Sequence, residues 1–266
     1  MGEYFQTIRL ISPPFYGRLR GVMIKILLPL ILFMANLQAT QTQVVILLGP
    51  PGAGKGSAAT LLKDKMELAH ISTGDLLRQN IKNGTQLGEK AKSYMDAGDL
   101  VPDELIFSML FERVDAPDCE KGYLLDGFPR TIEQAETLQK RLAGRAQVKA
   151  VSLEVPDSAL VERITKRQVC RDCQTPYHLT FSPPKTKGKC DRCPGELYQR
   201  SDDTETVVKS RLKIYHEKTA PLIDYYREQK ALQTVDASLP PNEVLSQITA
   251  LLTPVVKDKV GAGDVH

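Results

Sequence analysis

Residues 43–57, QVVILLGPPGAGKGS, carry the densest chemistry in the chain. Val44 to Leu48 is a short apolar run, β-branched at its start and followed at once by Gly and Pro, which is the pattern of a buried strand. Gly49, Gly52, Gly54 and Gly56 come next, with Lys55 among them. A strand, a glycine-rich turn and a helix N-terminus together make a phosphate cradle. Backbone N–H groups converge where no Cβ obstructs them, the helix end supplies partial positive charge, and the lysine reaches the outer phosphates. Gly49, Gly54 and Lys55 meet the pattern G-x-x-x-x-G-K, but Gly56 follows and the hydroxyl arrives one place later, at Ser57. That weakens direct magnesium ligation by the loop hydroxyl, not phosphate binding. A glycine-rich turn with no ligand is the alternative, and it leaves the lysine unexplained.

A second cluster is thiol chemistry. Cys170 and Cys173 are followed, after sixteen intervening residues, by Cys190 and Cys193. Two tight C-x-x-C pairs suit tetrahedral zinc, each pair on its own turn, and four protein ligands leave no open position, so the metal would be structural. Disulfides are the alternative, but no thioredoxin-like context surrounds these pairs. Cys119, the fifth cysteine, has no evident partner and is expected to be a partly buried thiol.

The elements that must position these groups alternate in type. After the loop, 58–66 reads as a helix and His70-Ile71 as a short strand. Ser72 to Asp75 offers caps to a helix through Leu76, Leu77 and Ile81, stopped by Asn83-Gly84. Helices are expected over 85–97, ended by Gly98, and from Pro102-Asp103-Glu104 to Val114. Tyr123 to Asp126 is a buried strand, 131–142 a helix, 150–155 a strand, 157–166 a helix, 232–235 the last strand and 241–252 the last helix. Five strands separated by helices predict an α/β fold, a five-stranded parallel sheet covered by helices.

At 266 residues, 42% hydrophobic and 25% charged, the chain is long enough for one α/β domain with insertions. Residues 1–42 carry Arg9, Arg18, Arg20 and Lys25 against Glu3, which is the whole of the net +3. The rest is neutral and offers no electrostatic case for broad nucleic-acid binding. Residues 26–35, ILLPLILFMA, are too short and too interrupted by Pro29 to span a bilayer. They fit a signal-peptide core with 36–39 as a cleavage region, and equally a leader outside the fold, with Met23 an alternative start. A mitochondrial presequence fits less well because serines are few, and Gln6 stands where myristoylation wants Ser or Thr.

Four stretches together bear a family resemblance: GPPGAGKGS at 49–57, STGDLLR at 72–78, LDGFPRT at 125–131 and RSDD at 200–203. They resemble adenylate kinase in its bacterial long-lid, zinc-containing form, in order over about 43–254. Ser57 stands where the family usually has Thr. The resemblance implies reversible phosphoryl transfer from ATP to AMP, giving two ADP, with Mg2+, on a P-loop sheet with a helical AMP-binding cover at 72–101 and a zinc lid at 166–203. It implies that Gly52, Ala53, Gly54, Lys55, Gly56 and Ser57 hold the ATP phosphates. Arg163 and Arg167, four apart on one helix face, would lie beside the adenine and the transferring group. Pro176, Tyr177 and the Leu239 backbone would meet the ATP adenosine, although Tyr177-His178 could instead serve lid packing. Arg78 and Arg130 would clamp the AMP phosphate, Arg200 and Arg211 would reach across from the lid and its following helix, and Asp126 would orient water on magnesium. Thr73, Gln134, Asp99, Leu100, Val101, Gly127, Phe128 and Pro129 would line the AMP pocket.

That chemistry suits the residue types. A phosphate attacks as an anion already, so positioning and charge neutralisation do the work, and planar guanidinium groups suit phosphate. Three rival readings differ in class. Another nucleoside monophosphate kinase would share the core, with Thr73 and Gln134 discriminating. A zinc-bearing nucleic-acid module would need more than the eight basic and five acidic residues of 166–203. A silent relative would lack charged positions that are all filled here. The expected protein is a cytoplasmic monomer without stable membrane insertion, exported only if the 22–39 segment is used, with a disordered tail at 255–266.

Overall fold

The computed structural model describes residues 42–252; the leader and the tail expected from the sequence lie outside the described residues. The centre is β1 (Thr42–Leu48), whose Val44, Val45 and Ile46 are fully buried and whose Leu47 and Leu48 nearly so. A strand covered on both faces needs an unbroken apolar run, which is what this stretch supplies. β2 (Ala69–Ser72), β3 (Gly122–Asp126), β4 (Ala146–Glu154) and β8 (Leu232–Asp236) complete a five-stranded, all-parallel sheet in the order β2-β3-β1-β4-β8.

Alternate residues of β1 feed two cores. Val44, Ile46 and Leu48 pack with Leu110, Phe128, Leu138 and Tyr226, while Val45 and Leu47 pack with Ala59, Leu62, Ile248 and Leu252. The second core is roofed by α1 (Lys55–Met66) and α9 (Pro241–Leu252). The first is roofed by α4 (Asp103–Val114), α5 (Ile132–Leu142) and α8 (Pro221–Glu228). Each fully buried leucine here is worth roughly 1.5–3 kcal/mol of transfer free energy.

α2 (Thr73–Lys82) and α3 (Gln86–Ala97) form a helical hairpin off the sheet. The expected cap Ser72 accepts at Oγ from Asp75 N at 3.2 Å and Gly98 ends α3 as expected, while Thr85, expected inside the helix, is its N-cap, with Oγ1 accepting from Gly88 N at 3.1 Å. After α6 (Asp157–Thr165) the chain enters a three-stranded antiparallel sheet of β5 (Arg167–Cys170), β6 (Pro176–His178) and β7 (Leu197–Tyr198). It returns through α7 (Glu205–Ile214) and a π turn, Tyr215–Thr219, into α8. Among the described residues no helix is long and apolar enough to cross a membrane.

Several expectations needed correction. β4 begins at Ala146, not 150, because β1 pairs with it from Thr42↔Ala146 onward; Gln147 and Lys149 alternate with apolar neighbours and hide that half of the strand. α1 begins at Lys55 inside the glycine-rich run, with Gly54 left-handed at its N-cap. Arg163 and Arg167 do not share a helix face. α6 stops at Thr165, and Arg167 opens β5 because antiparallel pairing of Arg167 with His178 captures the chain there. Cys119 is buried outright, 2% exposed, with its Sγ 3.2 Å from Arg113 Nη1.

Candidate active site

The loop at 49–57 joins the C-terminal end of β1 to α1, so it opens at the edge of the parallel sheet where ligands of such folds bind. Gly49 and Gly52 have φ of +137° and +86°. A Cβ on Gly49 would stand 2.6 Å from Leu153 O, and one on Gly52 2.9 Å from Ile164 Cγ1, so any side chain would push the loop off the sheet. Lys55 Nζ donates to Gly49 O at 2.7 Å and to Pro50 O at 2.9 Å, which folds the loop around the ammonium. Burial pulls Lys55 down to about 8. Asp126 opposes this, and Arg130, Arg211 and Arg167 reinforce it.

Asp126 ends β3, next to β1 in the sheet. Burial alone would raise its carboxyl, but His70 and the Lys55 ammonium hold it below the ordinary carboxylate range, so it is an anion. His70 Nε2 lies 3.6 Å from Asp126 Oδ2 and has no hydrogen-bond partner. The departure at Gly56 has a local reason. A Cβ there would come within 3.3 Å of Asp126 Oδ2, so glycine keeps space beside that carboxylate. Asp126 and Ser57 line the same cavity, and a carboxylate with a hydroxyl is an oxygen donor set that suits a hydrated magnesium ion.

The arginines arrive from five different parts of the chain. Arg78 lies on α2, Arg130 follows β3, Arg167 opens β5, Arg200 follows β7 and Arg211 lies on α7. Carboxylates hold them in place. Asp75 accepts from Arg78 and, at 2.8 Å, from Arg200 Nη2. Asp203, fully buried, receives Arg167 through both Nε, at 2.9 Å, and Nη2. Asp202 accepts from Arg211 Nη1 at 3.1 Å and stands 3.7 Å from Arg78 Nη1. Bidentate carboxylate pairing of this kind fixes guanidinium planes. Donors are nevertheless left over. Among the described residues Arg78 Nε and Arg200 Nε are buried without partners, and the Arg130 guanidinium bonds only through its Nε, 2.8 Å from Gly127 O. Burial first, and repulsion from neighbouring guanidinium groups with it, lowers Arg130, Arg200 and Arg211, the last to about 10. Such a site is short of anions.

Lys55, His70, Asp75, Asp126, Asp202 and the five arginines line one cavity of about 1030 Å3, while Asp203 holds Arg167 from outside its lining. Of the nucleotide and catalytic residues named from the sequence, only Pro129 lies off it. After the cis Phe128–Pro129 bond, Pro129 lines a cavity of about 70 Å3 with Ile214 and Tyr215. Thr73 Oγ1 donates to Gly127 O at 2.9 Å. Gln134 is buried at the same end, and Asp99, Leu100 and Val101 close it. At the other end Arg163 donates to Ala237 O at 2.9 Å beside Leu239, and its guanidinium lies 5.9 Å from the Phe181 ring, which stacks on His178. Tyr177 serves the lid. Its hydroxyl accepts from Asp191 N at 2.7 Å and lies 3.3 Å from Cys190 Sγ. Asp75, expected only as a capping residue, and Asp202, Asp203, His70 and Phe181 had no expected place in the site. The acidic pair directly after Arg200 was the available signal for two of them.

The four cysteine Sγ atoms lie within 4.8 Å of one another, with Cys170–Cys193 at 3.4 Å and Cys173–Cys190 at 3.6 Å. Ligands at about 2.3 Å from a tetrahedral zinc sit about 3.8 Å apart, so the set fits that ion and is too open for disulfides. Burial raises the Cys190 thiol, but hydrogen bonds from Tyr177 and the Arg192 amide bring it down to about 6; the Gly195 amide lowers Cys193, but hydrogen bonding with Cys170 and Cys173 pushes it up to about 12.

A family model described as adenylate kinase matches residues 47–231. The adenylate kinase of Carboxydothermus hydrogenoformans is 52% identical over 206 residues, covering 77% of this chain and 96% of that one. That of Syntrophobacter fumaroxidans is 51% identical over 210 residues, 78% of this chain and 99% of its own. That of Archaeoglobus fulgidus is 49% identical over 213 residues, covering 79% and 98%. With a phosphate cradle, a surplus of unpaired guanidinium donors and likeness of this extent, the chain belongs to the adenylate kinase family.

Proposed function

We propose that the chain catalyses reversible phosphoryl transfer between ATP and AMP, giving two ADP, in the arginine-lined cavity of about 1030 Å3. One observation carries this reading. Lys55, Arg78, Arg130, Arg167, Arg200 and Arg211 converge from six separate parts of the chain on one space, with buried donors left unpaired among the described residues. A site meant for one monophosphate would need two or three of them.

The loop amides from Gly52 to Ser57 and Lys55 hold the ATP phosphates, and Arg163 and Phe181 cover its base. Arg78 and Arg130 hold the AMP phosphate in line, and Thr73 and Gln134 face its base. The attacking oxygen is an anion, so no residue need take a proton from it. Arg167, Arg200 and Arg211 neutralise the charge that spreads over the transferring group, each already aimed by Asp203, Asp75 or Asp202. Magnesium, carried in with ATP, supplies further neutralisation of the phosphate oxygens, and Asp126 would orient its waters. Residues 72–101 and 166–203 act as covers that exclude water, the competing acceptor. Cys170, Cys173, Cys190 and Cys193 hold a structural zinc that gives the lid the rigidity its strands of two to four residues cannot. Thiolates of this kind suit a reducing, cytoplasmic location, and the family resemblance favours a monomer.

Lys55→Met and Arg130→Ala test the reading. Each is expected to lower kcat by at least ~10²-fold with the thermal midpoint kept. Turnover near wild type in either variant would show that the phosphates sit elsewhere.

A further inference from the structure

Gln134 lies on the first turn of α5, 2% exposed, and both ends of its side-chain amide are held by the protein. Its Oε1 accepts from the Arg130 backbone N–H at 2.7 Å. Its Nε2 donates to Asp103 Oδ1 at 2.6 Å. Asp103 comes from the first turn of α4, so the contact joins two helices that approach only in the folded protein. The two partners make opposite demands. A backbone N–H only donates and a carboxylate only accepts, so the amide has one orientation. Turned over, its oxygen would face a carboxylate and its NH2 group a donor. One lone pair on Oε1 and one proton on Nε2 remain unused, and Gln134 lines the substrate cavity.

We propose that Asp103 is a positioning residue for base selection, locking the Gln134 amide so that acceptor and donor are presented in the order adenine requires. This rests on the reading that Gln134 faces the acceptor base. Adenine offers the N6 amino donor beside the N1 acceptor, the complement of the locked amide. Hypoxanthine and guanine offer an O6 acceptor beside an N1–H donor, and uracil shows the same reversed order. Only the turned-over amide satisfies these bases, and the lock makes that orientation leave buried groups unpaired. Cytosine shows the adenine order, so the lock does not reject it; a smaller ring must be rejected by fit.

The test compares AMP with IMP, whose bases differ at this edge, with MgATP as donor. Asp103→Asn keeps shape but can donate as well as accept, and Asp103→Ala removes the acceptor, so a folding defect in one leaves the other to decide. Both are expected to narrow the AMP-over-IMP ratio of kcat/KM by about tenfold, the worth of one hydrogen bond to a charged group, with KM for ATP unchanged. Glu104→Gln removes a neighbouring charge from the same helix turn without touching Gln134 and is expected to keep the wild-type ratio. A ratio unchanged in both Asp103 variants, or shifted equally by Glu104→Gln, would overturn the proposal and leave the AMP site standing. Gln134→Leu separates the two readings, because it should raise KM for AMP and not for ATP. An unchanged KM for AMP there would overturn the site and the proposal together.

Discussion

Lys55 offers a quantitative handle on the phosphate site. Its ammonium is buried against two neutral carbonyl oxygens, Gly49 O and Pro50 O, and surrounded by three arginines, which together bring it down to about 8 despite Asp126. In the free enzyme it therefore carries about 0.9 of a proton at pH 7, about half at pH 8 and about 0.1 at pH 9. A polyphosphate placed beside it restores the charge, so binding must draw in the missing fraction: about 0.1, 0.5 and 0.9 of a proton at those three pH values. ATP is fully ionised over the upper part of this range and the arginines stay charged, so Lys55 dominates the uptake. Calorimetric titration of ATP in buffers of different ionisation enthalpy reads that number directly. The sign is fixed: raising the pH removes the proton from the free lysine, and Kd should rise by up to tenfold per unit above pH 8. Lys55→Met should show almost no uptake. Uptake that stays near zero from pH 7 to 9, or is equal in wild type and Lys55→Met, would refute the placement of this ammonium in the nucleotide site.

Other consequences follow from the same geometry. Metal analysis should find one zinc per chain, and a strong chelator should lower the thermal midpoint while most activity survives at low temperature; a metal-free protein of unchanged midpoint would remove the structural role of the cysteines. Burial would raise the Asp75 carboxyl, but Arg78 and Arg200 hold it down at about 2. A depressed carboxylate stabilises the fold above its unfolded value near 4 and loses that contribution as the pH falls toward 2. Denaturant melts should show wild type more stable than Asp75→Asn by about 2 kcal/mol at pH 6, with the gap closing toward pH 2. The fully buried Asp203 holds Arg167 Nε and Nη2, and Asp203→Ala should cost roughly 1.5–3 kcal/mol, the worth of charge-assisted hydrogen bonds to a guanidinium that is one-fifth exposed. A loss under 1 kcal/mol would mean that the pair is not held as described.

What could be read from the sequence is what is local along it. The strand, loop and helix of the phosphate cradle lie within twenty-five residues of one another. A cap such as Ser72 acts within one helical turn, and the paired cysteines declare themselves by spacing. What stayed hidden depends on contacts between distant elements. Arg200 meets Asp75 across 125 residues and Arg167 meets Asp203 across 36, and nothing in the local pattern says which carboxylate aims which arginine. The lid strands are two to four residues long, with no periodicity to detect; antiparallel pairing makes them strands and moves Arg167 off the helix. The same holds for the start of β4, where alternating Gln147 and Lys149 read as loop until β1 is laid beside them.

The most direct measurement is acceptor selectivity: ADP formation from MgATP with AMP, GMP, UMP or CMP in turn, by coupled assay on the purified full chain. AMP is expected to give the highest kcat/KM, with no turnover when magnesium is chelated. Faster turnover with UMP, CMP or GMP than with AMP would contradict the assignment of this site.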